Sequence, residues 1–323
     1  MALPIYASPL ERLWHYTYLV LCTAIFVFLI APILVVIPLS FNVEPYFTFT
    51  EAMLRFDPAG YSMRWYDALL TLGMLAPDAA RDGGWWADVW ENATWVRAAK
   101  NSIIIGFWST ILATVLGTLA ALGLSRPEMP YRRVVMAILI SPMIVPIIII
   151  AVGMSFFYAQ ACIDPNSVLG AVLGVFLSDK GCLVNSHLGV IVAHAVLGIP
   201  FVIITVTATM SGFDQSLIRA AHSLGANPRT TFFKVVMPLI LPGVVSGALF
   251  AFVTSFDEVV AVLFIAGPDQ QTIPRQMWNG IREAISPAIL AVATILVIIS
   301  ILLLTTVELL RRRSERLRGV TPR

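Results

Sequence analysis

Residues Asp214 to Gly243 have the sequence DQSLIRAAHSLGANPRTTFFKVVMPLILPG, a compact polar interruption between two long apolar stretches. Asp214 is a suitable N-cap for a short helix, and Gly225 suits the left-handed conformation that commonly ends one. Between them, apolar residues recur at the i, i+3, i+4 and i+7 spacing that predicts one face of a helix. These residues are Leu217, Ala220, Ala221 and Leu224.

A second helix is predicted directly after the first. Asn227 is a typical N-cap residue, and proline, here Pro228, is favoured at the first helical position. We expect this helix to stop near Pro238, and it carries two cations, Arg229 and Lys234. The two small alanines of the first helix would let another protein approach its backbone closely. The pattern alone fits equally well an amphipathic helix that lies in a membrane interface.

The composition of the chain is that of a membrane protein. Of its 323 residues, 58% are hydrophobic and 12% are charged, and the mean hydropathy is +0.85. A soluble domain is about half apolar and about a quarter charged. The net charge is +2, with no basic stripe that would suit nucleic acid, and three cysteines exclude a disulfide scaffold or a Cys-rich metal site. The first apolar run is too long for a signal peptide, so we expect it to remain as an anchor.

The fold class predicted is an all-α membrane protein with six transmembrane helices. A spanning helix needs about 20 apolar residues. Prolines within such stretches are tolerated because neighbouring helices re-satisfy the backbone; here they are Pro32, Pro142, Pro146, Pro200 and Pro242. The six candidate spans are Trp14–Leu39, Ile103–Leu124, Val134–Tyr158, Leu188–Met210, Leu239–Ala266 and Ala288–Leu310.

The distribution of charge predicts the orientation. With both termini in the cytoplasm, that side holds thirteen basic and five acidic residues, against eight basic and fourteen acidic outside, as the positive-inside rule requires. We therefore predict one membrane domain over residues 1–323, with residues 211–238 in the cytoplasm and a basic cytoplasmic tail, residues 311–323. The external segments are residues 41–100, 160–187 and 267–287.

The stretch RAAHSLGANPRTTFFKVVMPLILPG resembles the EAA loop of binding-protein-dependent ABC importer permeases, whose fold is that of the type I importers. That pattern is Glu-Ala-Ala, three residues, Gly, and about a dozen residues to an apolar-Pro pair. Arg219 replaces the glutamate, so it would need an acidic partner surface. The resemblance implies a coupling helix that docks on a cytoplasmic ATPase through Arg219, Ala220, Ala221, Leu224, Gly225 and Pro238.

A second resemblance concerns the substrate. SFDEVVAVLFIAG, followed by GPDQQTIPRQMWNGIREAISP, is similar to the polyamine branch of that permease family. It implies import of a small amine-bearing solute, a polyamine such as putrescine or spermidine, by alternating access. Two alternatives stay open. The same importer could carry an opine, an amino-acid derivative or a phosphonate, or the chain could be a passive channel or a membrane scaffold.

The resemblance also implies the partners. These are a second permease subunit that is a different chain, two ABC ATPase subunits and a periplasmic substrate-binding protein, all at the bacterial inner membrane. The chain has no Gly-rich loop ending in Gly-Lys-Ser/Thr and no HExxH motif. We therefore expect no catalytic site, metal or cofactor in this chain, with ATP and Mg bound by the partner ATPase.

Two adjacent acids, Asp257 and Glu258, fall within the fifth candidate span. Intramembrane acids mark functional sites by default, and Asp257 would lie roughly 23 Å beyond Pro242, near the external mouth. We predict that both acids line the substrate pathway. The alternative is a clamp between this chain and a sister subunit. His194, in the fourth span, is interpreted as a hydrogen-bonded packing residue.

The external segments carry two further features. Cys162 and Cys182 bracket a short apolar run and could form a disulfide in an oxidising periplasm, whereas Cys22 is interpreted as inert packing. The first external segment contains four tryptophans, which either mark the membrane surface or form a docking platform for an external partner. They are Trp85, Trp86, Trp90 and Trp95.

Overall fold

The computed structural model describes residues 8–126, 128–164, 167–177, 181–214, 216–283 and 286–317. Within these ranges the chain is helical and strand pairing is limited to two isolated bridges, so the all-α prediction is confirmed there. The helices are α1 (Pro9–Leu39), α2 (Glu51–Leu54), α3 (Arg64–Thr71), α4 (Gly83–Asn92), α5 (Thr94–Leu124), α6 (Arg132–Ile144), α7 (Ile147–Gln160), α8 (Val168–Leu173), α9 (His187–Ser211), α10 (Ser216–Ser223), α11 (Pro228–Asp257), α12 (Val260–Ile265), α13 (Ile273–Glu283) and α14 (Ala288–Leu317).

The chain divides into two compact units, which are described separately. The first contains the described residues up to Ala80 and those from Gly280 onward. In it, α14 packs against α1 and α3. The loop after α1 is organised by Asn42, which is fully buried. Its Nδ2 donates to the carbonyl oxygens of Tyr46 and Thr48, at 2.9 and 2.8 Å, and its own carbonyl accepts from the Trp65 indole at 2.7 Å.

The second unit, Arg81–Asn279, is built on the three mutually packed helices α5, α9 and α11. Glycines let these helices approach closely, as is common between membrane helices. A Cβ on Gly117 would lie 2.7 Å from Cβ of Val202, and a Cβ on Gly247 would lie 2.8 Å from Cα of Val202. One residue of α9 therefore packs directly against the backbones of both neighbouring helices.

The second unit has two distinct ends. At one end, which we call the α10 end, α10 and the first turns of α11 pack together. Ile218 of α10 and Met210 at the end of α9 both contact the core there. At the other end, which we call the Asn101 end, the side chain of Asn101 hydrogen bonds to the loop before α13. Helices α5, α9 and α11 connect the two ends.

Four helices are long and apolar enough to cross a membrane, namely α1, α5, α9 and α11, within the part of the chain that is described. Helices α6 and α7 cover the candidate span Val134–Tyr158 and together are long and apolar enough for a fifth span, but they are bent by 101°, so this stretch is not one continuous helix. The break falls at Pro146. Proline disfavours the helical conformation of the residue before it, and Val145 is accordingly extended, with ψ 135°.

The fifth predicted span also differs from the structure at both ends. The helix starts at Pro228, so the expected stop near Pro238 is wrong. A π-helical turn, Phe232–Val236, precedes the proline and widens the backbone where Pro238 cannot donate a hydrogen bond. At the other end the helix stops at Asp257, and α12 follows after a break. The described apolar part of α14, Ala288–Leu302, is shorter than a span.

Candidate functional site

Helix α10 ends in a complete Schellman motif. Gly225 has φ +79°, the left-handed conformation predicted for it. The amide of Gly225 donates to the carbonyl of His222 at 2.9 Å, and the amide of Ala226 donates to the carbonyl of Ala221 at 3.0 Å. These two bonds satisfy carbonyls that the end of a helix would otherwise leave open. The turn between α10 and α11 is therefore fixed by local hydrogen bonds.

Side-chain caps hold the starts of both helices. The carboxylate of Asp214 accepts from the amide of Ser216 at 2.8 Å and from its hydroxyl at 2.5 Å. The hydroxyl bond is the main reason that the pKa of Asp214 lies below its ordinary value. The side chain of Asn227 accepts from the amide of Thr230 at 2.7 Å, and Pro228 occupies the first turn, as predicted.

The apolar face predicted for α10 is divided between the inside and the outside of the unit. Ala221 is 8% exposed and faces the core. Leu224 is 88% exposed, although a large apolar side chain gains free energy by burial. It shares this exposed face with Leu217 and Ala220, and we call these three residues the α10 stripe. Arg219 and Gly225 are exposed beside it, and Pro238 is exposed on α11.

The two adjacent acids lie at the break between α11 and α12 and differ in their surroundings. Asp257 is the last residue of α11, and it is exposed. Glu258 has an extended backbone, and its Oε1 accepts from the amide of Ala261 at 2.9 Å. This bond satisfies one of the open amides at the start of α12. Glu258 is therefore a helix cap, whereas the carboxylate of Asp257 is accessible.

Arg275 closes the other end of α12. Its Nη1 donates to the carbonyl oxygens of Val262, Ala266 and Gly267, at 3.2, 2.8 and 3.2 Å. Burial lowers the pKa of Arg275, although a guanidinium stays protonated in proteins. This role of Arg275 could not be predicted, because nothing in the sequence near it shows that α12 ends beside it.

A buried chain of polar groups joins the three core helices. Nδ1 of His194 lies 2.7 Å from the hydroxyl of Ser255, which lies 2.8 Å from the hydroxyl of Ser109. The three residues come from α9, α11 and α5. Nε2 of His194 has no hydrogen-bond partner among the described residues. The bond to Ser255 agrees with the interpretation of His194 as a packing histidine.

At the Asn101 end, one amide side chain ties three elements together. Nδ2 of Asn101 donates to the carbonyl oxygens of Asp269 and Gln271, at 2.7 and 3.0 Å. Its Oδ1 lies 3.1 Å from Nε2 of His187, the first residue of α9. The hydroxyl of Ser102 accepts from the amide of Ile273 at 2.8 Å. The adjacent polar pair Asn101-Ser102 at the start of an apolar helix was the available signal for this cluster.

A disulfide joins Cys162 to Cys182, at the ends of the loop between α7 and α9. The backbone beside it is paired as well, since the amide of Ile163 donates to the carbonyl of Gly181 at 2.9 Å. On the other side of the pair, Leu183 donates to Ala161 at 3.1 Å. The disulfide and these bonds together close the loop at its base.

The family described as "Binding-protein-dependent transport system inner membrane component" matches residues 113–317, and the chain belongs to this family. It is therefore the permease subunit of a type I ABC importer, which is not itself an enzyme.

The individual relatives are permeases of importers for different solutes: two are named for polyamines, and a third, at 30% identity over 77% of this chain and 88% of its own length, is the sulfate transport system permease protein CysT of Escherichia coli. The chain is 27% identical over 291 residues to the spermidine/putrescine transport system permease protein PotC of Haemophilus influenzae, covering 90% of this chain and 95% of PotC. It is 28% identical over 295 residues to the putrescine transport system permease protein PotI of Escherichia coli, covering 91% of this chain and 88% of PotI.

The fold has a counterpart among solved structures. The crystal structure of a bacterial ABC transporter involved in the import of the acidic polysaccharide alginate contains a chain that matches with a TM-score of 0.58. The match covers 94% of this chain and 98% of that chain, at 17% identity. It establishes that the two chains share a fold.

Proposed function

We propose that the chain is one of two different permease subunits of an ATP-driven importer, folded as one domain of six spans over residues 1–323. Both termini, the basic tail 311–323 and the loop 211–238 face the cytoplasm of a bacterium. The other components are two ABC ATPases, which bind ATP and Mg, and a periplasmic substrate-binding protein. Family membership and the positive-inside charge distribution support this arrangement.

The α10 stripe is the proposed contact with the ATPase. Its exposed leucines would gain free energy on entering an apolar groove, and the small side chain of Ala220 allows close approach of the backbone. Arg219 lies beside the α10 stripe, at the position where the family's pattern has a glutamate. We therefore expect the rim of the groove on this ATPase to be acidic near Arg219.

The continuity of α11 is the observation that carries the proposed mechanism. This helix has 30 residues, about 45 Å at 1.5 Å per residue, and it runs from its contact with α10 to the carboxylate of Asp257. Because α11 packs against α9 and α5 through glycines, a displacement of α10 would move the core as one body. ATP-driven closure of the ATPases would thus reorient the pathway, and ATP hydrolysis would reset it.

The proposed solute is a small organic cation, with a polyamine such as putrescine or spermidine favoured. Two relatives that are named as polyamine permeases match about nine-tenths of the chain. Asp257 also offers an accessible carboxylate at the end of α11. The carbonyl end of a helix also attracts positive charge. An opine, an amino-acid derivative or a phosphonate remains the second candidate within the same importer type.

Leu224→Glu tests the coupling proposal directly. Placing a charge on the α10 stripe should abolish co-purification of the ATPase while the two permease subunits still assemble, because the groove would have to bury an unpaired carboxylate. Ser223→Glu is the matched control, since Ser223 is exposed on the same helix outside the stripe. Co-purification is measured on tagged complexes from membranes. An unmodified chain that purifies without any ATPase would favour a passive channel or a scaffold.

Gly225→Val is expected to uncouple ATP hydrolysis from uptake. A β-branched residue in the left-handed conformation costs about 1–2 kcal/mol, so the turn between α10 and α11 should rearrange. Gly225→Asn is the control, because asparagine tolerates this conformation. Uptake and ATPase activity are measured together in proteoliposomes. Normal uptake by the valine variant would show that the turn has no part in coupling.

A further inference from the structure

Helix α4 has three chemically distinct faces. Trp85 and Val89 lie one turn apart and are buried in the second unit, with Trp85 only 3% exposed. Trp86 and Trp90 also lie one turn apart and are 54% and 61% exposed. The remaining face carries acidic groups, with Glu91 exposed on it. Half of the apolar arc of this helix thus packs on its own chain, while more than half of the surface of the two tryptophans in the other half is exposed.

The exposed tryptophans lie next to the apolar outer face of α5. Only Ala93 separates α4 from α5, which is long and apolar enough to span the membrane. The outward face of α5 is apolar along its length, and it begins with Ile103, Ile104 and Phe107. This apolar face of α5 starts one turn after Lys100, which lies on the same side of the helix as Ile103 and Ile104.

Lys100 marks the boundary of the apolar face of α5 at the Asn101 end. Its Nζ lies 4.6 Å from the ring centroid of Trp90 and donates to the carbonyl oxygen of Trp90. The ammonium group is thus directed away from this apolar face and toward α4. Lysine side chains at the ends of membrane helices take this direction to reach the polar boundary of the bilayer. The contact places the ring of Trp90 at that boundary.

We infer that α4 is an interfacial helix that lies along the bilayer surface at the Asn101 end, with Trp86 and Trp90 inserted among phospholipid headgroups. Indole rings are favoured at this depth because they combine an apolar body with a polar N–H group. The acidic face of α4 is directed to water. The occupant of the exposed tryptophan face is therefore lipid, since that face is continuous with the apolar outer face of α5.

The four tryptophans of this segment thus form two pairs with different roles. Trp85 and Trp95 are buried and hold α4 and α5 to the second unit. Trp86 and Trp90 fix the height of that unit in the membrane. A bundle that reorients during transport needs such a reference level, because a vertical shift would expose apolar surface to water.

The test uses nitroxide spin labels on the assembled importer in lipid nanodiscs, in a Cys22→Ala background that removes the free thiol of this chain, and the signal of the same importer without an introduced cysteine is subtracted. Labels are placed by Trp86→Cys, Trp90→Cys and, as the matched control, Glu91→Cys. Collision with oxygen, which partitions into lipid, is compared with collision with a water-soluble nickel chelate. We expect the oxygen-to-nickel ratio at positions 86 and 90 to exceed that at position 91 several-fold.

Two outcomes would overturn the inference. Equal ratios at the three positions would show that the tryptophan face is in water. Immobilised labels at positions 86 and 90 that neither reagent reaches would show that a protein covers this face, either the sister permease or the external binding protein. Recovery of each labelled complex at the level of the unlabelled importer shows that the substitution has not disturbed folding.

Discussion

Gly247→Val is expected to leave little or no assembled importer in the membrane. Gly247 is buried where α11 crosses α9, and a Cβ there would lie 2.8 Å from Cα of Val202 and 3.3 Å from its Cβ. The hydroxyl of Thr205 lies nearer still, at 2.5 Å, and could rotate away, but Cα of Val202 belongs to the backbone, so a rotamer change cannot relieve the whole clash. Overpacking of this kind costs typically about 1–3 kcal/mol, occasionally more, and valine adds two further methyl groups.

The effect should extend beyond one helix pair. Gly117 of α5 packs against the same residue, Val202, so a shift of α9 away from α11 would press it into α5. Gly123→Val is the matched control, because a Cβ on Gly123, also in α5, would lie more than 4 Å from the atoms of other residues packed around it. The amount of complex recovered and its thermal stability in detergent are the measurements. Normal recovery and transport by the Gly247 variant would show that α9 and α11 do not pack closely at Gly247 and Val202.

The parts of the site that follow from sequence are those built from near neighbours. Asn227, Pro228 and Gly225 act on residues at most five positions away, through rules that hold in any helix. Their roles were therefore predicted and are found in the structure. The apolar periodicity of α10 was also predicted, but which of its residues face inward depends on the rest of the unit.

Helix breaks were the weakest part of the sequence analysis, and the prolines show why. Pro146 breaks its span, whereas Pro238 lies inside a continuous helix because a π-helical turn precedes it. Proline removes one hydrogen bond in both places, and the packing of neighbouring helices decides between a bend and a local adjustment. That packing is not visible in either local sequence.

The contacts at the Asn101 end were missed for a related reason. Asn101 binds carbonyls about 170 positions later in the chain, and carbonyls are present in every residue. Periodicity therefore gives no indication of which ones are chosen. The cap formed by Glu258 is local, but it becomes recognisable only once the helix is known to break at that residue.

Asp257→Asn is expected to lower uptake of a cationic solute about tenfold while leaving the complex intact. Hydrogen bonds to a charged group contribute about 1.5–3 kcal/mol, against about 1 kcal/mol for neutral partners, and each 1.4 kcal/mol is about tenfold in affinity. Asp257 is exposed at the end of α11, so the substitution removes charge without disturbing packing. Initial uptake rates in proteoliposomes, measured over a range of solute concentrations, should show the loss mainly as a raised KM.

Glu258→Gln is the control that distinguishes the two acids. Glutamine keeps an oxygen that can accept from the amide of Ala261, so α12 should stay capped and uptake should change little. Glu258→Ala removes the acceptor and is expected to destabilise the complex by about 1 kcal/mol, the usual cost of losing a helix cap. If Asp257→Asn instead spares uptake by the complexes that form but reduces how many assemble, Asp257 is a clamp to the sister subunit. The effect of Glu258→Gln on uptake then shows whether the second acid lines the pathway, because its Oε2 stays available beside the capping bond of Oε1.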